Sequence, residues 1–311
     1  MDNLCTKIEM VEVGPRDGLQ NEAQLISTTD KLALIERAIA AGARRIEVAS
    51  FVNPRAVPQM ADAEAVCAGL PQRDDVTYIG LVMNRCGAER AIATGRIDQL
   101  GTVSVATDSF AMANQGQTSD GSVEIAREIV ALARAAGMTA QCTISAAFGC
   151  PFEGEVAEER VIAMATALAS AGPVEIALAD TIGVADPAHV HRLVTRVIEG
   201  IAPIPVRVHF HNTRGTGLAN VWAAVQAGAT VVDASLGGLG GCPFAPGAAG
   251  NVATEDVAYM LERAGIATGL NLAALIAANH WLAGIMGKQL PAMVARARPF
   301  PPDRELEGAV A

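Results

Sequence analysis

The chain is 311 residues long, 51% hydrophobic and 18% charged, with a formal net charge of −10. That composition excludes an intrinsically disordered protein, and the acidic balance excludes a general nucleic-acid binder, which needs basic surface to neutralise phosphates. An anionic substrate must therefore be received by local arginines, lysines or a metal ion. Six cysteines stand at positions 5, 67, 86, 142, 150 and 242 without a CxxC pair. That is the pattern of reduced thiols, and a cytoplasmic location is expected. No run of 18 apolar residues occurs and the first residues lack the apolar core of a secretion signal, so no membrane span or membrane partner is expected.

In chain order, β-rich runs occupy Lys7–Gly14, Arg45–Ser50, Val76–Met83, Gln99–Ala106, Thr139–Phe148, Val174–Asp180, Val206–Asn212 and Val231–Gly238. Helical patterns fall between them, among them Thr29–Gly42, Ser122–Gly137 and Ala157–Gly172, the last two ending at glycine. Thr29 with Asp30, and Asp186 with Pro187, have the form of helix starts. Eight strands alternating with helices predict an α/β fold, a closed parallel TIM (β/α)8 barrel over residues 1–270. The alternative is an open doubly wound sheet, against which no GxGxxG follows the first strand. Residues 271–311 hold a helix at Asn271–Met286 and a proline- and arginine-rich stretch at Pro291–Pro302, a C-terminal helical extension packing on the barrel.

Barrel chemistry sits at the C-terminal ends of the strands, and this chain's polar residues fall there. Arg16, Asp17 and Gln20 follow the first strand. Glu47 and Ser50 belong to the second, and Asn84 follows the third. Ser145 is in the fifth, Asp180 and Thr181 end the sixth, and His209 and His211 end the seventh. Residues two apart on a strand point the same way, so the two histidines could grip one ion. Two imidazoles, a carboxylate and an amide oxygen suit Mg²⁺ or Mn²⁺ better than structural zinc. Plainer readings stand beside these. Asp180 with Thr181 could cap the next helix, Glu47 could face outward, the paired histidines could be structural, and Cys242 could be inert. His189, His191 and His280 lie in helical patterns and are read as non-ligands. Gly240-Gly241 is read as a flexible turn.

Five segments carry a resemblance to the 3-hydroxy-3-methylglutaryl-CoA lyase family, within the DRE-TIM metallolyases. They are VEVGPRDGLQNE (11–22), IEVASFVNPRAVPQMAD (46–62), ADTIGVADP (179–187), HFHNTRG (209–215) and GLGGCPFAPGAAGNVATED (238–256). The resemblance implies that Asp17, His209, His211 and Asn251 hold a divalent metal. It implies that Arg16 stabilises a thioester enolate, that Cys242 sits on a loop closing over the substrate, and that Glu47 and Asp180 are active-site carboxylates. The substrate contacts expected are Gln20, Ser50, Asn84, Asn114, Ser145 and Thr181. The implied reaction is retro-Claisen cleavage of an acyl-CoA substrate, in a homodimer.

The chain also departs from the family. Phe110-Ala-Met-Ala-Asn114 lacks the lysine common there, Gln141 and Thr143 replace an arginine and a tyrosine, and Asn212 replaces an aspartate. The metal positions survive while groups that meet the substrate change. A lyase for another substituted 3-hydroxyacyl-CoA, a condensing acyltransferase of the isopropylmalate synthase type and a catalytically silent scaffold are the alternatives.

Overall fold

The computed structural model describes residues 5–241, 250–298 and 300. Its strands are β1 (Glu9–Glu12), β2 (Arg45–Ser50), β3 (Thr77–Val82), β4 (Gln99–Val105), β5 (Thr139–Ser145), β6 (Ile176–Asp180), β7 (Val206–Phe210) and β8 (Val231–Ala234). The helices are α1 (Thr28–Ala40), α2 (Ala63–Gly69), α3 (Arg85–Ala93), α4 (Asp108–Gln115), α5 (Ser119–Ala135), α6 (Glu158–Ala169), α7 (Pro187–Ile201), α8 (Gly217–Gln226), α9 (Thr254–Arg263) and α10 (Leu272–Met286). Each strand pairs in parallel with the next and β8 pairs with β1, so the sheet closes. The chain is a TIM barrel.

Period-two patterning decides which residues enter the barrel. Even-numbered strand residues such as Ile46, Leu100, Ile144, Leu178 and Val208 are buried under the helices. Odd-numbered ones such as Arg45, Glu47, Gln141, Thr143, Arg207 and His209 meet across the axis or line the cavity. Helix α7 shows the complementary 3.6-residue stripe, burying Val190, Leu193, Val194, Val197 and Ile201 against the sheet.

Helix ends follow capping chemistry. The helix expected to start at Thr29 with Asp30 is capped earlier, by Ser27, whose hydroxyl accepts the Asp30 N–H at 3.1 Å. Asp186 caps α7 as expected, accepting from Ala188 and His189. Several strands end sooner than their apolar runs. The run 231–238 stops at Ala234 and turns at Leu236–Gly238, where Gly237 and Gly238 have φ of 76° and 71°.

Helix α10 lies against α1 and α9. Beyond it, the Asp256 carboxylate accepts the Met293 and Val294 N–H groups, and the Ala292 N–H donates to Gly237 at 3.1 Å. Ala292 is thereby tied to the turn that follows β8.

Candidate metal centre and active site

Arg16 and Asp17 sit on one tight turn, Gly14–Gly18, where the N–H groups of Arg16, Asp17 and Gly18 converge on the Val13 carbonyl at 3.2, 2.7 and 3.2 Å. Glu12 locks this turn to the segments that follow the neighbouring strand β8. One carboxylate oxygen accepts from Gly14 and Leu236 N–H groups, and the other accepts from the Thr254 hydroxyl. The segment around Asn251 is held likewise: Asn212 donates to Gly250, Val252 to Phe210, and His211 bridges Asn251.

These constraints bring donor atoms of Asp17, His209 and His211 within 4.8 Å of one another. His209 Nε2 lies 4.0 Å from Asp17 Oδ2, and Asn251 Nδ2 donates to that same oxygen at 2.7 Å. Burial works to raise the Asp17 carboxyl, but Arg16, the two histidines and Asn251 hold it at about 2, so it is a carboxylate throughout the physiological range. Burial and the neighbouring His209 push His211 down to about 4, which keeps that imidazole neutral, as a ligand must be.

Beside this cluster, Arg16 pairs through Nε with Glu47 and through Nη1 with Asp17 at 2.6 Å. Glu47 is 3% exposed and lines the cavity, so it faces inward. Burial makes it a stronger base than an exposed carboxylate, although Arg16 opposes the shift. Asp17, His209, His211, Arg16 and Glu47 share one cavity of about 460 Å³ with Gln20, Asn84, Asn114, Ser145 and Thr181.

Ser50, expected to contact the substrate, and Asp180, expected as an active-site carboxylate, are placed differently. Ser50 is fully buried, does not line the cavity, and leaves its hydroxyl oxygen without a partner. Asp180 is also fully buried beneath the wall, and its two oxygens accept the Val184 and Ala185 N–H groups at 2.9 Å each. Asp180 does not cap the next helix, whose cap is Asp186; it satisfies two amides of the turn after β6 instead. Thr181 does reach the cavity, 2.8 Å from the Ser145 hydroxyl, and accepts the N–H of Ala146, whose φ is +56°. Asn84 both lines the cavity and caps α3 by accepting from Gly87 at 2.9 Å. His189 is 3.7 Å from Glu158 and His280 meets the Ala295 carbonyl, both away from the cluster. Cys242 lies outside the described residues.

Gly240 is a tight packing position. Its φ is +108°, and a Cβ there would stand 2.4 Å from Asn251 Nδ2 and 3.0 Å from the Asp17 carbonyl. Only glycine lets this backbone pass so close to the cluster.

Asp233 and Arg207 were missed by the sequence reading. Asp233 Oδ2 sits 3.2 Å from His209 Nδ1, and Arg207 Nη1 holds both Asp233 oxygens at 2.7 Å. The signal was available as a charge inside Val231-Val-Asp-Ala, and as Arg207 two residues before His209, on the same face.

The HMGL-like family model matches residues 7–281. The chain belongs to the HMGL-like family. It is 43% identical over 95% of its length, and 96% of the relative's, to (R)-citramalyl-CoA lyase of Chloroflexus aurantiacus. It is 41% identical to hydroxymethylglutaryl-CoA lyase YngG of Bacillus subtilis, over 92% of this chain and 95% of that one. The crystal structure of hydroxymethylglutaryl-CoA lyase from Pseudomonas aeruginosa superposes with a TM-score of 0.90 at 40% identity, covering 94% of this chain and 97% of the other. An HMG-CoA lyase from Acinetobacter baumannii, in complex with coenzyme A and 3-methylmalate, gives 0.91 at 40%, covering 97% and 98%. The protein is a carbon–carbon lyase.

The HMGL-like family is metal-dependent, and the residues of this member fit a divalent ion on their own geometry. Asn251 Oδ1 and His211 Nδ1 are buried without any hydrogen-bond partner, an arrangement costly to leave unsatisfied. A hard cation would be received by the Asp17 carboxylate and the Asn251 amide oxygen together with the imidazole nitrogens. No helix among the described residues is long and apolar enough to cross a membrane.

Proposed function

We propose that this lyase is a divalent-metal-dependent enzyme, using Mg²⁺ or Mn²⁺, that cleaves 3-hydroxy-3-methylglutaryl-CoA or a close 3-hydroxyacyl-CoA diacid to acetyl-CoA and a keto acid. The observation that carries the reading is the Asp17, His209 and His211 cluster with the Arg16–Glu47 pair directly beside it in one cavity. The complex of a 40%-identical relative with coenzyme A supports an acyl-CoA substrate. Asp17, His209, His211 and Asn251 would hold a divalent ion, which would supply Lewis acidity toward the substrate's hydroxyl.

The chain's own residues do the rest. Glu47, desolvated on the cavity wall, accepts the C3 hydroxyl proton as the C3–O bond becomes a carbonyl. The C2–C3 bond breaks, and its electron pair passes into the thioester as an enolate, whose oxygen the Arg16 guanidinium steadies. The Cys242 thiol, placed by the resemblance of its GLGGCP motif, delivers a proton to C2 to complete acetyl-CoA. Gln20, Asn84, Asn114, Ser145 and Thr181 offer neutral polar groups to the substrate along the same wall. Asp180 serves this site by shaping the turn that presents Thr181.

A second substrate reading draws on the 43%-identical relative named for citramalyl-CoA and on the cavity's own polarity. From β3 to β6 the described lining is uncharged: Leu81, Met83, Val103, Gln141, Thr143 and Ser145 are among it. A short, branched acyl portion carrying its free acid toward the metal suits that division. Purified protein with Mg²⁺, offered hydroxymethylglutaryl-CoA, citramalyl-CoA and related diacids, should release acetyl-CoA from one or more of them. Failure to release acetyl-CoA from every diacid, with condensation of acetyl-CoA and a 2-oxo acid instead, would transfer the protein to the acyltransferase reading.

A further inference from the structure

The lumen of this barrel is filled by charge where branched aliphatic layers are usual. Its small apolar layer is Val11, Val13, Ile79 and Val231. Below and beside it runs a continuous ladder. Glu9, half exposed at the N-terminal mouth, accepts from Arg45 at 2.9 Å. Arg45 forks onto Glu175, Nη1 to Oε2 at 2.9 Å and Nη2 to Oε1 at 2.8 Å, and also donates to Gln99 and Gln141. Glu175 Oε1 lies 3.0 Å from Arg207 Nε. Arg207, with a side chain 2% exposed, grips both oxygens of Asp233 at 2.7 Å and donates to the Thr143 hydroxyl at 3.0 Å. Asp233 in turn meets His209 Nδ1.

Such a ladder is a poor way to stabilise a fold. Desolvating two arginines and two carboxylates consumes most of their mutual attraction, and apolar packing of equal volume is often as good or better. What it does well is fix orientation. A carboxylate held at both oxygens cannot rotate, so the imidazole it meets presents Nδ1 to Asp233 and leaves Nε2 toward Asp17. Arg207 is suited to this, since its planar fork spans Asp233, Thr143 and Glu175 at once, which an ammonium group cannot.

Resting on the assignment of Asp17, His209 and His211 as the ion's ligands, we infer that Arg207 and Glu175 are positioning residues that set metal affinity from the far end of the barrel, acting through Asp233 on His209. The foot of the barrel is therefore part of the metal site's support. It is more than a plug.

The test is Mn²⁺ binding, read from the free-ion electron paramagnetic resonance signal, together with the imidazole-nitrogen coupling of the bound ion. Arg207→Lys should weaken Mn²⁺ binding about tenfold, the lower end of the range for outer-shell partners. Glu175→Gln should weaken it several-fold, with circular dichroism and the metal-free melting temperature close to those of the parent. Both should alter the nitrogen coupling. A well-folded Glu175→Gln protein with unchanged affinity and coupling overturns the inference, and so does a parent protein that binds no Mn²⁺. Should Arg207→Lys not fold, Glu175→Gln decides alone. Weakened binding in a protein that releases no acetyl-CoA from any diacid leaves the inference standing and sinks only the substrate reading.

Discussion

Gly240 and Asn251 are in direct backbone-to-side-chain apposition: a methyl group at Gly240 would lie 2.4 Å from Asn251 Nδ2. Gly240→Ala must therefore displace the asparagine amide as well as strain a backbone at φ +108°. We expect about 1–3 kcal/mol lost in chemical denaturation, the usual scale for one strained residue, and a weaker Mn²⁺ complex. A variant with parental stability and affinity would show that the loop shifts freely.

Arg16→Gln should lower turnover roughly 10²-fold or more, the scale for losing a principal electrostatic donor. Removing the guanidinium also leaves Glu47 buried without its counter-ion, and Glu47 should then take up a proton. Near-normal turnover in a folded Arg16→Gln protein would remove Arg16 from the chemistry.

Chelation followed by gel filtration should abolish acetyl-CoA release, and Mg²⁺ or Mn²⁺ should restore it. Asp17→Asn keeps the side-chain shape but lacks the carboxylate charge, so no divalent ion should rescue it at ordinary concentrations. Full activity in the chelated enzyme would exclude metal assistance.

Stability should depend on pH through Glu255. Burial raises its carboxyl to about 8 from 4.5, against the hydrogen bonds it accepts from the Gly237 N–H. Above pH 4.5 the unfolded chain gives up this proton while the folded chain keeps it until about 8, so stability falls across that window. Glu12, raised to about 7, adds a decline of the same sign. Glu255→Gln should be the more stable protein at pH 8.5, by a margin on the order of a few kcal/mol that shrinks toward pH 5, as urea titrations at both values would reveal. Equal curves at both would mean that Glu255 ionises freely in the folded state.

A thiol reagent applied with and without substrate tests Cys242. Substrate should protect both the thiol and the activity. Complete modification with untouched turnover would make another group the proton donor.

Local physics was sufficient for much of this molecule. Alternating β and helical periods dictated eight strands, and parallel pairing of such strands leaves few closed architectures. The His209/His211 spacing was enough to place both imidazoles on one face, and the Asp186-Pro187 pair was enough to start α7. The five family segments offered Arg16, Asp17, Glu47 and Asn251 as candidates before any coordinates, and the structure brings these side chains into contact with one another.

Tertiary structure alone decided what lies across the barrel axis. The sequence offered Asp180 as an active-site carboxylate and Ser50 as a substrate contact, but Asp180, at an even-numbered position of β6, gives its oxygens to two backbone amides, and Ser50 is buried without lining the cavity. Asp233 and Arg207 looked like isolated charges in apolar strands. Their roles depend on strand register, which sets His209 beside Asp233 on neighbouring strands and lets Arg207 reach both Asp233 and Glu175. Period-two alternation says that a side chain points inward. It does not say which inward residue of a distant strand it will meet, because closure of the sheet and the stagger of its strands are properties of all eight together.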